Sequence, residues 1–265
     1  MLSSLSNQKI YYADETLNAW FEELSLPVAP TCNMMCNFCS KEKDCINNGN
    51  SPEYLSRAMT PRQAVNWAIA SVRRNNRIKI IRISGPGEPL CNNQTFEVLK
   101  RLNYEMPEYI YSISTNGLLL DEKVEELKGL NVQRVNVSVN AVTKEALMKL
   151  YSRVITGREI VVNSEEMADR IIRGQFNGIK RCIENGISVK VSTLCFMGIN
   201  DKELLTIASR CKELGVKSMS LVTFNPRGKL RGLRTPNLME LAGIREELSK
   251  VIKRVEIKSF ISMRD

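Results

Sequence analysis

The sequence contains no histidine, few aromatic residues and no long apolar run. Without histidine, a zinc site with mixed cysteine and histidine ligands is excluded, and a structural zinc would have to rely on cysteines. Aromatic residues make up 6% of the chain, which leaves few side chains for stacking on bases, so we do not expect nucleic acid as a partner. No apolar run approaches the ~20 residues of a membrane span, so no membrane association is expected.

The amino-terminal sequence MLSSLSNQKIYYADE lacks the basic segment and the apolar core of a signal peptide, which predicts a cytoplasmic protein. In that compartment, the eight cysteines are expected to be metal ligands or buried thiols rather than disulfides. Cys182 and Cys211 lie in helical patterns and are expected to pack in the core. The net charge of +9 favours an anionic partner.

Short β-branched runs alternate with amphipathic segments along the chain. The pattern predicts strands at 24–28, 79–83, 110–115, 134–139, 188–193 and 218–224, with a further candidate at 255–261. It predicts helices at 61–74, 95–102, 121–127, 144–151, 165–185, 201–214 and 238–253. Such alternation builds a parallel sheet. We predict an α/β fold, an open partial (β/α)6 TIM-like barrel rather than a flat, doubly wound sheet.

Polar loops follow the predicted strands, and in a parallel barrel these loops converge at the carboxyl ends of the strands. The segments are PTCNMMCNFCS (30–40), GPGEPL (85–90), STNGL (114–118), SVNA (138–141), STLCFMGIND (192–201) and NPRGKLRGLR (225–234). All of them are expected to face one cavity. The long polar stretch 41–59 is interpreted as a functional loop at this face, the alternative being a flexible insertion.

The first of these loops holds Cys32, Cys36 and Cys39 within eight residues. A zinc site would need a fourth ligand, for which Cys45 is the candidate. A [4Fe-4S] cluster offers four irons, so three thiolates from one loop would leave one iron open to a small chelating ligand. The glycine-rich loop and the short polar side chains of the neighbouring loops suit the polar groups of such a ligand.

The C-x3-C-x2-C spacing, with Phe38 directly before the last cysteine and just after the first predicted strand, resembles the radical S-adenosylmethionine (radical SAM) superfamily. Within it, residues 24–235 resemble the nitrogenase cofactor maturases of the NifB family. The segments that carry this resemblance are LPVAPTCNMMCNFCSKEKDC, MTPRQAV, GPGEPL, TFEVLKRL, STNGL, GQFNGIKRCIENGISVKVSTLCFMGIND and NPRGKLRG.

The resemblance implies a partial TIM-like barrel of the radical SAM type, with a [4Fe-4S] cluster and S-adenosyl-L-methionine (SAM) as cofactors. The cluster would reductively cleave SAM to a 5′-deoxyadenosyl radical that abstracts hydrogen from a substrate. The implied cluster ligands are Cys32, Cys36 and Cys39. The implied SAM contacts are Phe38, Gly85, Gly87, Glu88, Ser114, Asn116, Ser138, Asn140 and Ser192. No catalytic side chain is identified.

Members of the NifB family join two [4Fe-4S] precursors into an eight-iron, carbide-containing cluster, with ligands from further histidine and cysteine residues. Residues 1–31 contain neither type, and Phe260 and Met263 stand at the positions of carboxyl-terminal cysteines. Cys45 and Cys91 are the candidates for extra ligands, with Cys195 or a partner protein as further sources. We therefore expect a single-cluster enzyme acting on an unidentified anionic substrate in cofactor maturation. The alternatives are true precursor assembly and a non-catalytic iron–sulfur carrier.

The expected partners are a small-molecule, cluster or peptide substrate and a reductant such as ferredoxin or flavodoxin. The basic loop 225–234 could clamp an anionic substrate through Arg227, Lys229, Arg231 and Arg234, or could be a solvated turn. We predict one radical SAM domain over 1–265, with an extension at 1–23, a barrel core at 24–235, and a helix and tail at 236–265.

Overall fold

The computed structural model describes residues 21–39, 58–224, 226 and 228–258. Within that part, seven strands form one parallel sheet. In spatial order they are β1 (Glu22–Ala29), β3 (Ile78–Pro86), β4 (Ile110–Thr115), β5 (Val132–Ser138), β8 (Ser188–Cys195), β9 (Ser218–Thr223) and β10 (Arg254–Lys258). The order never reverses, so the sheet is wound in one direction, as in a barrel. The predicted α/β partial barrel is confirmed, and β10 adds a seventh strand beyond the predicted barrel core.

Helices connect most of these strands. They are α1 (Pro61–Arg74), α2 (Asn93–Glu105), α3 (Leu120–Gly129), α4 (Lys144–Leu150), α5 (Glu165–Glu184), α6 (Leu204–Glu213) and α7 (Leu238–Val251). Helix α1 matches its predicted bounds because its start is specified locally. The Thr60 side chain accepts a hydrogen bond from Gln63 N, and the Gln63 side chain accepts one from the Thr60 backbone N–H. None of the helices in the described ranges is both long and apolar enough to cross a membrane.

Helix α5 packs unusually close to the carboxyl end of β4. A Cβ atom on Gly174 would lie 2.3 Å from the carbonyl oxygen of Leu118, and one on Gly178 would lie 2.6 Å from Leu120 Cβ. Glycine at these two positions therefore lets the helix backbone approach the β4–α3 connection directly. This close approach brings the buried side chain of Gln175 beneath the strand ends.

A second, antiparallel sheet was not predicted. It consists of β2 (Met34–Cys36), β6 (Tyr151–Thr156) and β7 (Glu159–Val162), in the order β2-β6-β7. The helix predicted to end at Tyr151 ends at Leu150, and Tyr151 begins β6 instead. The hairpin was missed although its sequence, YSRVITGREIVV, holds two β-branched runs separated by Gly157 and Arg158, which is a hairpin signal. Its first strand, β6, also pairs with β2, a segment distant in sequence.

Candidate functional site

The three clustered cysteines lie in the loop that follows β1, which we call the cysteine loop (residues 30–39). Cys32, Cys36 and Cys39 are all partly buried. Cys36 is the last residue of β2, and Cys39 N donates to Cys36 O across a tight turn at 3.2 Å. The loop therefore sits at the carboxyl end of the first barrel strand, where the sequence predicted it.

The antiparallel sheet anchors one side of the cysteine loop. Met34 pairs with Val154 in β6, and Ile155 N donates to Asn33 O at 2.8 Å. At the other end of β2, the Asn37 side chain donates through Nδ2 to Lys149 O at 2.8 Å and accepts from Ser152 Oγ. The missed hairpin thus gives the loop a fixed backbone.

The turn Gly228–Leu230 anchors the opposite side of the loop. Lys229 N donates to Asn37 O at 2.9 Å, and Lys229 Nζ reaches Ser152 Oγ at 3.1 Å. A Cβ atom on Gly228 would lie only 2.7 Å from Asn37 O and 2.9 Å from Cys39 O. Because Gly228 also has a φ of +59°, glycine is the residue that allows this contact.

The connection after β3 holds the beginning of the cysteine loop. Glu88 N donates to Thr31 O at 2.7 Å. The Asn92 side chain accepts from the Thr31 hydroxyl at 2.7 Å, and its Nδ2 donates to both Thr31 O at 2.9 Å and Glu88 O at 2.7 Å. The cysteine loop is therefore fixed by three separate segments of the chain.

The Glu88 carboxylate is buried and hydrogen-bonded within the protein. Its Oε1 accepts from Thr115 Oγ1 at 2.5 Å and from Leu90 N at 3.1 Å, and its Oε2 accepts from Asn116 N at 2.7 Å. Glu88 was predicted to contact SAM. These contacts show that its carboxylate also joins the glycine-rich loop to the end of β4, so it shapes the surface on which Gly85 and Gly87 lie.

Glu88→Gln is expected to lower the free energy of unfolding by about 3 kcal/mol, because an amide keeps one acceptor oxygen and turns an N–H group toward a buried backbone donor. Urea denaturation of the cofactor-free protein measures this change. The control is Glu97→Gln on α2, which breaks a half-exposed ion pair with Arg101 at 2.6 Å. This change should lower the free energy of unfolding by less than ~1 kcal/mol. Equal losses in the two variants would contradict the role of Glu88.

Asn116, a predicted SAM contact, is tied into the same network by both ends of its side chain. Its Oδ1 accepts from Leu118 N at 2.9 Å, and its Nδ2 donates to Asn33 Oδ1 at 2.8 Å. Beneath it, Gln175 Nε2 donates to Asn116 O and to Ser138 O, both at 2.9 Å. Gln175 thereby couples the ends of β4 and β5, a role that its position in a helical pattern did not suggest.

The predicted contacts at β5 and β8 have internal partners as well. Asn140 is buried, donates to Tyr151 OH at 3.0 Å and accepts from Leu194 N at 2.9 Å. Ser192 Oγ donates to Asn136 Oδ1 at 2.9 Å. Asn200, which the sequence did not single out, donates to Asn140 O at 2.6 Å. These side chains set the positions of the strand ends.

Aromatic side chains form an apolar wall beside the cysteine loop. The Phe38 ring lies 5.7 Å from the Tyr151 ring and 4.9 Å from the Phe196 ring, and Phe196 lies 4.6 Å from Phe224. Burial raises the pKa of Tyr151 well above its usual range, and the nearby Cys36 acts in the same direction. Phe38 therefore packs inward, supporting the last cysteine of the loop from within the protein.

Of the remaining described cysteines, Cys182, Cys195 and Cys211 are buried and Cys91 is partly buried. Burial raises the pKa of Cys91 to about 11, and its Sγ donates to Glu88 O at 3.3 Å. Burial likewise raises the pKa of Cys195, Cys182 and Cys211 to about 12. The expectation that Cys182 and Cys211 pack in the core is confirmed. Cys45, the other candidate for an extra ligand, lies outside the described residues.

The donor set of the cysteine loop fits an iron–sulfur cluster. Within the described ranges, no three His, Cys, Asp or Glu side chains gather closely enough to hold a single metal ion. In a cubane each thiolate binds a different iron, so the three sulfurs need not converge on one point. A buried and unpartnered amide donor, Asn33 Nδ2, lies in the same loop, as expected where a bound group would supply the acceptor.

Part of the predicted basic clamp is used inside the protein. Arg234 forms a two-pronged ion pair with Glu240, with distances of 2.6 and 2.8 Å, and Lys229 holds the cysteine loop as described above. Arg231 is exposed. Arg227 and most of the loop 41–59 lie outside the described residues. Among the described cations of this loop, Arg231 is therefore the exposed one to which no structural role has been assigned.

The protein thus has a singly wound partial barrel with a three-cysteine loop at the carboxyl end of its first strand, the arrangement that the sequence predicted for a radical SAM protein. The Radical SAM superfamily model matches residues 26–211. The chain belongs to the radical SAM superfamily and is a radical SAM enzyme. The [4Fe-4S] cluster and SAM are its cofactors, and enzymes of this superfamily use a substrate and a reductant.

Among known proteins, the chain is similar to FeMo cofactor biosynthesis proteins NifB. It is 31% identical to that of Methanocaldococcus infernus, covering 90% of this chain and 78% of the relative. It is 26% identical to that of Chlorobaculum tepidum, covering 89% of this chain but only 56% of the relative's length. Its fold matches a radical SAM methyltransferase from Sphaerobacter thermophilus with a TM-score of 0.61 at 20% identity, over 89% of this chain and 65% of that one.

Proposed function

We propose that Cys32, Cys36 and Cys39 ligate the cluster and that the chain is a SAM-cleaving enzyme of NifB-like cofactor maturation. The observation that carries this proposal is the cysteine loop itself, which three segments of the protein hold at the carboxyl end of β1. When bound, the cluster supplies the electron that cleaves SAM to methionine and a 5′-deoxyadenosyl radical, which then abstracts hydrogen from the substrate.

The protein contributes the position of the reacting groups. The loop with Gly85 and Gly87 offers backbone carbonyls to the SAM ammonium group, and Glu88 holds that loop against Asn116. Ser114, Ser138 and Ser192 lie at successive strand ends, where hydroxyl groups suit a carboxylate and ribose. The hydrogen bonds of Asn140 and Gln175 fix the spacing of those ends. Phe38 shields the loop from water on its inner side.

The substrate is proposed to be anionic. The chain carries a net charge of +9, and Arg231 is exposed on the turn that contacts the cysteine loop. Cationic side chains at the mouth of a barrel attract anions and bind them through charge-assisted hydrogen bonds. A reductant such as ferredoxin or flavodoxin, itself acidic in character, would be attracted by the same charge.

The reconstituted, dithionite-reduced protein should convert SAM to 5′-deoxyadenosine and methionine under anoxia. Chromatography of the quenched reaction measures both products. A control reaction without dithionite should give neither, because the cleavage requires an electron. A fully reconstituted protein that leaves SAM intact would instead support the carrier interpretation, since a carrier needs the cysteines but not the SAM contacts.

A second candidate function is assembly of a nitrogenase cofactor precursor, favoured by the 31% identity to a NifB protein. It requires two further clusters in addition to the one held by the cysteine loop. Iron analysis after reconstitution distinguishes the two, with about four irons per chain for the single-cluster enzyme and about twelve for the assembly enzyme. The full burial of Cys195 favours about four irons, unless Cys91, Cys45 or a partner supplies the ligands.

A further inference from the structure

Two asparagines follow two of the cysteines in the same loop, but their side chains are used differently. Asn37, after Cys36, has both ends of its amide engaged, with Lys149 O and Ser152 Oγ. Asn33, after Cys32, is only 5% exposed, and its Nδ2 has no hydrogen-bond partner among the described residues. Such an atom is costly in a folded protein unless a bound group supplies the acceptor.

The orientation of the Asn33 amide is fixed by its neighbours. Asn116 Oδ1 accepts from the backbone N–H of Leu118 at 2.9 Å, so the other end of the Asn116 amide is the donor. That donor contacts Asn33 at 2.8 Å and therefore requires the carbonyl oxygen of Asn33 at this position. Exchanging the ends of the Asn33 amide would place two N–H groups against each other. The unpartnered atom is thus an N–H donor that needs an acceptor.

No sulfur of the described residues accepts a hydrogen bond from Nδ2 in this structure, so the acceptor that fits this position is a sulfur of the cluster that the loop would hold. Protein atoms alone bury Nδ2, so a SAM molecule that arrives and leaves in every turnover could reach it only by displacing them. A cluster, by contrast, would be inserted once and would then stay in the loop in which Asn33 lies. The backbone carbonyl of Asn33 accepts a hydrogen bond from Ile155 N at 2.8 Å, which keeps the residue in place beside Cys32.

We propose that Asn33 Nδ2 donates a hydrogen bond to a sulfur of the bound cluster and thereby raises the reduction potential of the cluster. This inference rests on the proposed function, since it requires the cluster to be held by the cysteine loop. Hydrogen bonds to the sulfurs set the potential of iron–sulfur clusters. Reduction adds one electron and makes the sulfurs more negative, so a donor stabilises the reduced form more than the oxidised form.

Asn33→Ala is expected to make the reduced cluster about tenfold harder to populate at a given potential, which is a shift of about 59 mV to more negative values for one electron. Redox titration of the reconstituted protein, followed by electron paramagnetic resonance without SAM, measures this shift. Asn103→Ala on α2 is the matched control. It removes an amide that donates to Leu99 O at 2.9 Å and to Leu130 O at 2.6 Å, away from the cysteine loop, so it should destabilise the fold but leave the potential unchanged.

A second measurement uses the parent protein and does not depend on the variant folding. Labelling asparagine side chains with ¹⁵N should give a hyperfine coupling between an amide nitrogen and the reduced cluster. An unchanged potential in Asn33→Ala would overturn the proposal, as would equal shifts in the two variants or a parent protein without coupling. A variant changed only in its KM for SAM would assign the donor to the nucleoside instead. If the parent protein binds no cluster at all, the proposed function fails rather than this inference alone.

Discussion

Cys36→Ala is expected to reduce 5′-deoxyadenosine formation at least about 100-fold, a loss larger than that from removing a supporting partner of a metal ligand. Cys36 is both a proposed ligand and the residue that ends β2, where it is paired with Tyr151. Alanine keeps the backbone pairing of this strand but removes the thiolate. The variant should therefore fold and still fail to hold a complete cluster, and iron content and visible absorption after reconstitution report this directly.

Cys182→Ala is the matched control, because Cys182 is fully buried in the core far along the chain on α5. It should retain cluster content and product formation, with only a small loss of stability. Cys32→Ala and Cys39→Ala should behave like Cys36→Ala. If Cys36→Ala still forms product at a rate close to that of the parent protein, the assignment of the cysteine loop as the cluster site is wrong.

Gly174→Ala is expected to lower the free energy of unfolding by about 3 kcal/mol or more, at the upper end of overpacking effects. The new Cβ would lie 2.3 Å from Leu118 O, which is backbone and cannot rotate away. Helix α5 would have to shift, and Gln175 would then lose its hydrogen bonds to Asn116 O and Ser138 O. Both stability and SAM affinity should fall, as measured by thermal unfolding and equilibrium dialysis.

Gly243→Ala is expected to change the free energy of unfolding in the opposite direction. Gly243 lies in helix α7, and a Cβ atom there would meet nothing within 4 Å. Alanine is a better helix former than glycine, so the free energy of unfolding of this variant should rise by up to about 1 kcal/mol. A Gly174→Ala protein as stable as the parent would mean that α5 does not approach the strand end as closely as described.

Local signals made much of the fold predictable. The start of α1 depends on Thr60 and Gln63, which are neighbours in sequence, and its bounds were predicted correctly. The cysteine loop was predictable for the same reason, because its spacing is contained in eight residues. The hairpin of β6 and β7 also has a local signal, which the prediction missed, whereas the pairing of β6 with the distant β2 depends on how the chain folds.

The supporting side chains of the site were the least predictable part. Asn33, Gln175 and Asn200 are polar residues whose importance lies in partners that are distant in sequence. Glu88 was recognised, but as a ligand contact, whereas its three hydrogen bonds show a structural task as well. A sequence pattern identifies the chemical type of a side chain, while its partner depends on how the whole chain packs.

The contacts around the cysteine loop also constrain the order of events during biosynthesis. The loop emerges early from the ribosome, yet it is held by residues 149–155 and by Gly228 and Lys229, which are translated much later. Domains form as units once their sequence is available. A nascent chain therefore carries its thiols without the framework that orients them, and delivery of iron and sulfide is expected to follow translation rather than accompany it.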